Sequence, residues 1–178
     1  ATVTVDYREN VPPFAPEAVA LTSAPDPAVV DAVLTATVTP HDPFDQDAIG
    51  DAEEYTYVWY KDGAEVRRNG PVAGATDTLG DGAYQVTKGE FQVEVFAFDG
   101  TSPSETATES NTLTVVNSPP VLTGTPAIDV APTPARFESE LFADTEDVTV
   151  TDNDPEDTTT LTYQWQKMPA GAAAWEDI

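Results

Sequence analysis

The chain has 178 residues, 32 acidic against 7 basic, a formal charge of −25, and no cysteine. That imbalance rules out the basic patch needed to bind nucleic acid and opposes docking on an anionic membrane surface. Without thiols neither a disulfide framework nor a thiolate metal site can form, and no apolar run approaches the roughly 18 residues that cross a bilayer, so membrane insertion is not expected.

The opening "ATVTVDY" reads as a strand and not as a targeting leader, as expected of a mature, processed or excised segment. "NVPP" (Asn10–Pro13) follows as a breaker. "AVLTATVT" (Ala32–Thr39) then alternates, with Leu34, Ala36 and Val38 on one face and threonines on the other. An acidic loop, "HDPFDQDAIGDAEE", leads into "YTYVWYK", which sets Tyr55, Tyr57 and Trp59 on one face. Turn signals come at "KDG" (from Lys61), "RNGP" (from Arg68) and "LGDG" (from Leu79). "EFQVEVFAF" (Glu90–Phe98) alternates again, "FDG" closes it, and "NTLTVV" gives one more short strand before "NSPP" (Asn117–Pro120). A second acidic loop, "DTEDVTVTDNDPEDTTT", precedes "TLTYQWQK" (Thr160–Lys167). Helical spacing has no useful length anywhere, and sixteen prolines would interrupt it.

Two landmarks recur. Trp59 and Trp165 lie 106 residues apart, and Thr56/Thr162, Tyr57/Tyr163 and Lys61/Lys167 share that offset. The two Asn-x-Pro-Pro sites are offset by 107. An internal repeat is therefore expected. Residues 1–9 read as the last strand of a preceding repeat, 10–117 as one complete repeat, and 118–178 as the first part of a further, incomplete one. Ala1–Glu9 of a neighbouring copy could complete such a part by strand donation. About seven short strands in ~107 residues, with turns every 8–12, predict an all-β chain of tandem immunoglobulin-like antiparallel β-sandwiches. In such a fold Trp59 and Trp165 are core anchors, each burying on the order of 200 Å². Tyr60 and Phe96, in the opposite register, are the better candidates for stacking on a sugar.

The acidic loops are the candidate sites. Asp42, Asp45 and Asp47 in the first, and Asp152, Asp154 and Asp157 in the second, have the close carboxylate spacing that can converge on calcium, which takes six to eight oxygens. A solvated acidic turn is the alternative reading, and Asp99 is either an extra ligand or a turn residue. The first loop does not fit the EF-hand template: starting at Asp45, Ile49 fails the fifth position and Thr56 cannot be the bidentate glutamate. His41 is the single histidine, so histidine clusters and a repeated Ser-His-Asp triad are excluded. Catalysis is not expected.

At "DAVLTATVTPHDPFDQDAIGDAEEYTYVWYKDGAEV…TKGEFQVEVFAFDG…NTLTVVNSPP" and "NSPPVLTGTPAIDV…DNDPEDTTTLTYQWQK" the chain resembles a bacterial and archaeal extracellular immunoglobulin-like repeat, related in style to polycystic-kidney-disease and cadherin-like modules. The matching positions are Asn117, Thr56, Tyr57, Trp59, Lys61, Asp62, Gly63, Lys88, Gly89, Glu90, Asp99 and Gly100. Asp152, Asp154 and Asp157 follow the family's acidic loop, whereas Asp42–Asp51 depart from it by an insertion. The resemblance implies an extracellular or cell-surface location and a structural or adhesive role, as part of a surface array, surface layer or filament. Implied partners are neighbouring repeats, copies of the same protein, a surface glycan or a surface protein. A carbohydrate-binding accessory module of a secreted enzyme, or a viral fibre domain, is the alternative.

Overall fold

A computed structural model describes residues 9–46, 52–134, 136 and 138–178. The described residues are all-β with antiparallel sheets and include no helix. The chain divides at Ser118/Pro119 into two compact units.

The first unit is a two-sheet, sandwich-like body. One sheet has three strands, β1 (Ala18–Ala24), β2 (Val33–Thr39) and β5 (Thr76–Leu79), in the order β1-β2-β5. The other runs β4 (Ala64–Ala73), β3 (Glu54–Lys61), β6 (Gly89–Phe98) and β7 (Thr108–Glu109), with β8 (Leu113–Val115) also paired to β6. The period-two pattern explains the layers. Leu34, Ala36 and Val38 of β2 face Tyr55, Tyr57 and Trp59 of β3 and Phe91, Val93, Val95 and Ala97 of β6 across one buried core. Trp59 is 0% exposed, as a core anchor should be.

Turn chemistry explains the hairpins. Asp62 (φ 50°) and Gly63 (φ 78°) both take the left-handed region between the paired residues Lys61 and Ala64, so "KDG" closes a two-residue hairpin whose twist suits its strands. "RNGP" was expected to turn and does not. It lies inside β4, where the pairing slips between Tyr55↔Val72 and Tyr57↔Asn69. The extra residue is absorbed as a bulge, a place where Gly70 and Pro71 are tolerated.

Side chains imitate backbone at the sheet margins, and one of them joins the two sheets. Asn111 accepts from the Leu21 amide (2.9 Å) and donates to the Leu21 carbonyl (3.1 Å), capping the edge strand β1. Ser110 Oγ accepts from the Val93 amide and Ser104 Oγ from the Ala97 amide, both at 3.1 Å.

The second unit holds three two-stranded ladders. β9 (Val121–Thr123) pairs with β12 (Thr149–Thr151), β10 (Ala127–Ala131) with β11 (Glu140–Asp144), and β13 (Gln166–Lys167) with β14 (Glu176–Asp177). The strand expected over Thr160–Lys167 is present only at its last two residues. Trp165, expected to be a core anchor, is half-buried, and Tyr163 is 56% exposed. In the first unit β3 is laddered on both edges, by β4 and β6. Among the described residues Thr160–Trp165 have no such flanking strands. The Ala1–Glu9 strand lies, apart from Glu9, outside the described residues.

Candidate functional site

Three polar assemblies are built around the strands that the sequence singles out. The first surrounds Trp59. Its indole N–H donates to Asp77 Oδ2 at 2.7 Å, and Asp77 stands on β5, in the opposite sheet. The other Asp77 oxygen accepts from Asn69 Nδ2 (2.8 Å) and from Arg67 Nη2 (3.2 Å), both on β4. Arg67 also donates to the Thr78 carbonyl. Tyr57 reaches the Gly74 carbonyl with its hydroxyl (2.9 Å) where the chain crosses between the sheets. Burial, and then the Asp77 charge, push the Tyr57 hydroxyl well above its ordinary pKa. Tyr55 is raised too, by burial first and then by its hydrogen bond to Glu53. A carboxylate that clamps two sheets through a tryptophan is a structural device. The sequence shows it only as Asp77 among threonines.

The second assembly answers the question about Asp99. It is 2% exposed. Its Oδ1 accepts from the backbone amides of Thr101 and Ser102, both at 2.7 Å, and its Oδ2 from Asn10 Nδ2 at 3.1 Å. Asn10 also donates to Ser102 Oγ at 2.7 Å. Burial works to raise this carboxyl. The Ser102 and Thr101 amides and the Asn10 side chain outweigh it and hold the group below the usual carboxylate range. Asp99 therefore organises the turn after β6 and fastens the Asn-x-Pro-Pro segment to it.

The third assembly comprises the acidic loops. Asp42 is exposed and Asp45 half-buried, while Asp47 lies outside the described residues. This loop folds onto the segment after Asn10. Phe14 donates its amide to the Phe44 carbonyl (3.1 Å), Gln46 Nε2 donates to the Pro12 carbonyl (2.7 Å), and His41 stacks on Phe14 at 4.4 Å. Asp45 Oδ1 accepts from the Gln46 amide. In the second loop Asp152 Oδ1 accepts from the Asp154 amide at 3.0 Å, and Asp154 Oδ1 from the Glu156 amide at 3.4 Å. The Asp157 amide donates to the Asp154 carbonyl at 3.2 Å. Asp154 is buried and Asp157 exposed. Asp152, Asp154 and Asp157 thus share one turn, in which the Asp152 and Asp154 carboxylates cap backbone amides. Among the described residues no group of three or more Asp, Glu or His side chains is gathered about one point.

The outward aromatics of the first unit are half-buried. Tyr60 donates its hydroxyl to Glu94 (2.9 Å) beside a hollow of about 240 Å³, and Phe96 lies opposite Thr56. Among the described residues the exposed aromatics are in the second unit. Tyr163 and Trp175 (61% exposed) line a cavity of about 420 Å³ together with Trp165. Sequence reasoning passed over Trp175. Its only signal was that a bulky aromatic stood among alanines.

No family model matches the chain, and no curated protein matches it.

Proposed function

We propose that the chain is a non-catalytic segment of an extracellular array of tandem immunoglobulin-like sandwiches, with a structural or adhesive role at a cell surface. The observation that carries this reading is the repeat itself: Asn-x-Pro-Pro followed by Thr-Tyr-x-Trp-x-Lys, twice. In the first unit the landmark side chains serve the scaffold, Trp59 as a cross-sheet anchor and Asn10 as a clasp on the Asp99 turn. A surplus of carboxylates suits a solvated spacer that must not self-associate. The test is surface shaving of intact cells that make the protein. An antibody to residues 10–117 should lose its signal after external protease and keep it in lysed, protease-free controls. A signal that survives shaving sinks the proposal.

Calcium enters this reading through the Asp152–Asp157 turn. Asp152 and Asp154 each accept a backbone amide on Oδ1, which shapes the turn and leaves further lone pairs on each carboxylate for an ion. The carbohydrate-binding alternative draws on a different observation, the exposure of Tyr163 and Trp175 on one cavity. Quenching of tryptophan emission by neutral oligosaccharides would favour it.

A further inference from the structure

Two stretches of the first unit that are far apart in sequence run side by side. Thr108 Oγ1 donates to the Pro16 carbonyl (2.6 Å), Val19 bridges Ser110, and the Asn111 side chain accepts from the Leu21 amide and donates to its carbonyl. Further along, the Val116 amide donates to the Ala28 carbonyl (3.0 Å) and the Val30 amide to the Val116 carbonyl (3.1 Å). Ser118 Oγ then donates to the Val30 carbonyl at 3.3 Å. Partners advance together along the chain, and the Val19–Ser110 and Val29–Val116 bridges are both parallel. The ladders between the unit's named strands are all antiparallel. The entering and leaving stretches therefore form a parallel seam of six hydrogen bonds.

β6 fixes where the seam begins and ends. Thr108 pairs with Val95 and Val115 with Gly89, while Asn10 is tied to Asp99 just past the β6 terminus. The chain thus comes in beyond one end of the seam and goes out beyond the other. A pull on both sides of the unit draws the two stretches past each other along their length, so the six bonds share the load and yield together. An antiparallel pairing would set entry beside exit, and the same pull would part the bonds one after another, each worth little alone. We propose that this seam is a load-bearing element that holds the first unit shut when the chain is pulled lengthwise. Sealing the edge of β1 is a second service of the same contacts, but edge sealing has no preferred direction of pull. The inference concerns the unit by itself, so the shaving experiment and the pulling experiment fail independently.

The test is force spectroscopy at constant load on the full chain. The sequence holds no cysteine, so handles attach only to cysteines introduced at exposed positions. Glu9→Cys with Pro120→Cys loads the seam along its length, and Glu17→Cys with Glu105→Cys parts it from the Pro16 end. At equal load the lengthwise pair is expected to rupture at least about tenfold more slowly, because bonds of modest individual worth then yield together. Asn111 is exposed, so Asn111→Ala removes two seam bonds without emptying a buried site, and should speed lengthwise rupture about tenfold. Thr108→Val removes one bond and keeps the side-chain shape; it should speed rupture about threefold, and it carries the test if the alanine variant does not fold. Asp77→Ala, at the opposite margin of the sandwich, lowers equilibrium stability yet should leave lengthwise rupture within about twofold of the parent. Equal rupture rates for the two handle pairs overturn the proposal. So does an Asp77→Ala effect as large as that of Asn111→Ala, which would make rupture a readout of global stability.

Discussion

Removing the carboxylate of Asp77 tests the cross-sheet clasp directly. In Asp77→Ala the Trp59 indole N–H stays buried, at 0% residue exposure, and loses its acceptor. A buried donor left unsatisfied costs about 1–3 kcal/mol. Arg67, with its side chain 32% exposed, can rehydrate, so its ion pair adds only about 0.2–1 kcal/mol. Asn69 loses one bond, worth about 0.5–1 kcal/mol. The expected total is roughly 2–5 kcal/mol, which lowers Tm by about 8–20 °C for a unit of this size. Asp77→Asn keeps an oxygen for the indole but turns an amide towards Arg67 or Asn69, and should cost about half as much. Guanidinium unfolding followed at short emission wavelengths weights the buried Trp59 over the half-buried Trp165 and the exposed Trp175. A double-mutant cycle with Trp59→Phe should give a coupling of about 1 kcal/mol or more. If Asp77→Ala lies within about 0.5 kcal/mol of the parent, or the coupling vanishes, the clasp contributes nothing and the argument for it fails.

Tyr55 and Tyr57 are held neutral in the folded state with raised pKa values, so the stability they contribute is complete below their unfolded value near 10 and is lost as pH rises beyond it. Absorbance at 295 nm should show two tyrosines that ionise only together with alkaline unfolding; smooth titration of all six in the folded protein would contradict this. Asp99 has the opposite sign: its lowered pKa gives stability that is present above its unfolded value near 4 and is lost as pH falls through the folded one. Asp99→Ala should therefore destabilise at pH 7 by about 1–3 kcal/mol and flatten the acid limb of the stability curve, an effect that Asn10→Ala reproduces in part. Gly70→Ala sets a Cβ 2.5 Å from the Tyr55 carbonyl oxygen at φ +129°, and should cost on the order of 2–4 kcal/mol in thermal melts. Calcium added to chelated protein should raise Tm above sodium matched for ionic strength, and Asp154→Asn should remove the difference. Equal responses would leave only screening of the −25 charge.

Local alternation made β2, β3, β6 and β8 legible, because each has one buried face and a period of two. β1 escaped notice because "AVALTSA" alternates with small residues, and Val19 and Leu21 alone give a weak pattern. The length of β4 was hidden by Asn-Gly-Pro, a turn signal that β3 overrides by pairing on both sides of the bulge. The clasps were invisible for another reason. Trp59 and Asp77 are 18 residues apart, Asn10 and Asp99 are 89, and Leu21 and Asn111 are 90. Such partners are chosen by topology, and nothing in the residues next to them records the choice. The acidic loops were legible as loops, and Asp152 and Asp154 each turn one oxygen to a nearby amide, a use that spacing alone cannot separate from ion binding.

The two copies of Thr-Tyr-x-Trp-x-Lys isolate what a local motif encodes. The four shared residues keep the same spacing, with Val58 and Tyr60 replaced by Gln164 and Gln166, yet Tyr57 is 0% exposed and Tyr163 56%. What differs is the company. β3 has β4 along one edge, β6 along the other and the three-stranded sheet across its face, so each aromatic ring gains apolar neighbours on all sides. Strand propensity measures how well a side chain fits a pleated, half-covered surface, and its value collapses when the covering surface is not there. The motif therefore specifies which side chains would share a face, whereas burial of that face belongs to the strands that meet it. In the first unit β4, β6 and the three-stranded sheet supply that cover, and the 0% exposure of Tyr57 is their work as much as the motif's.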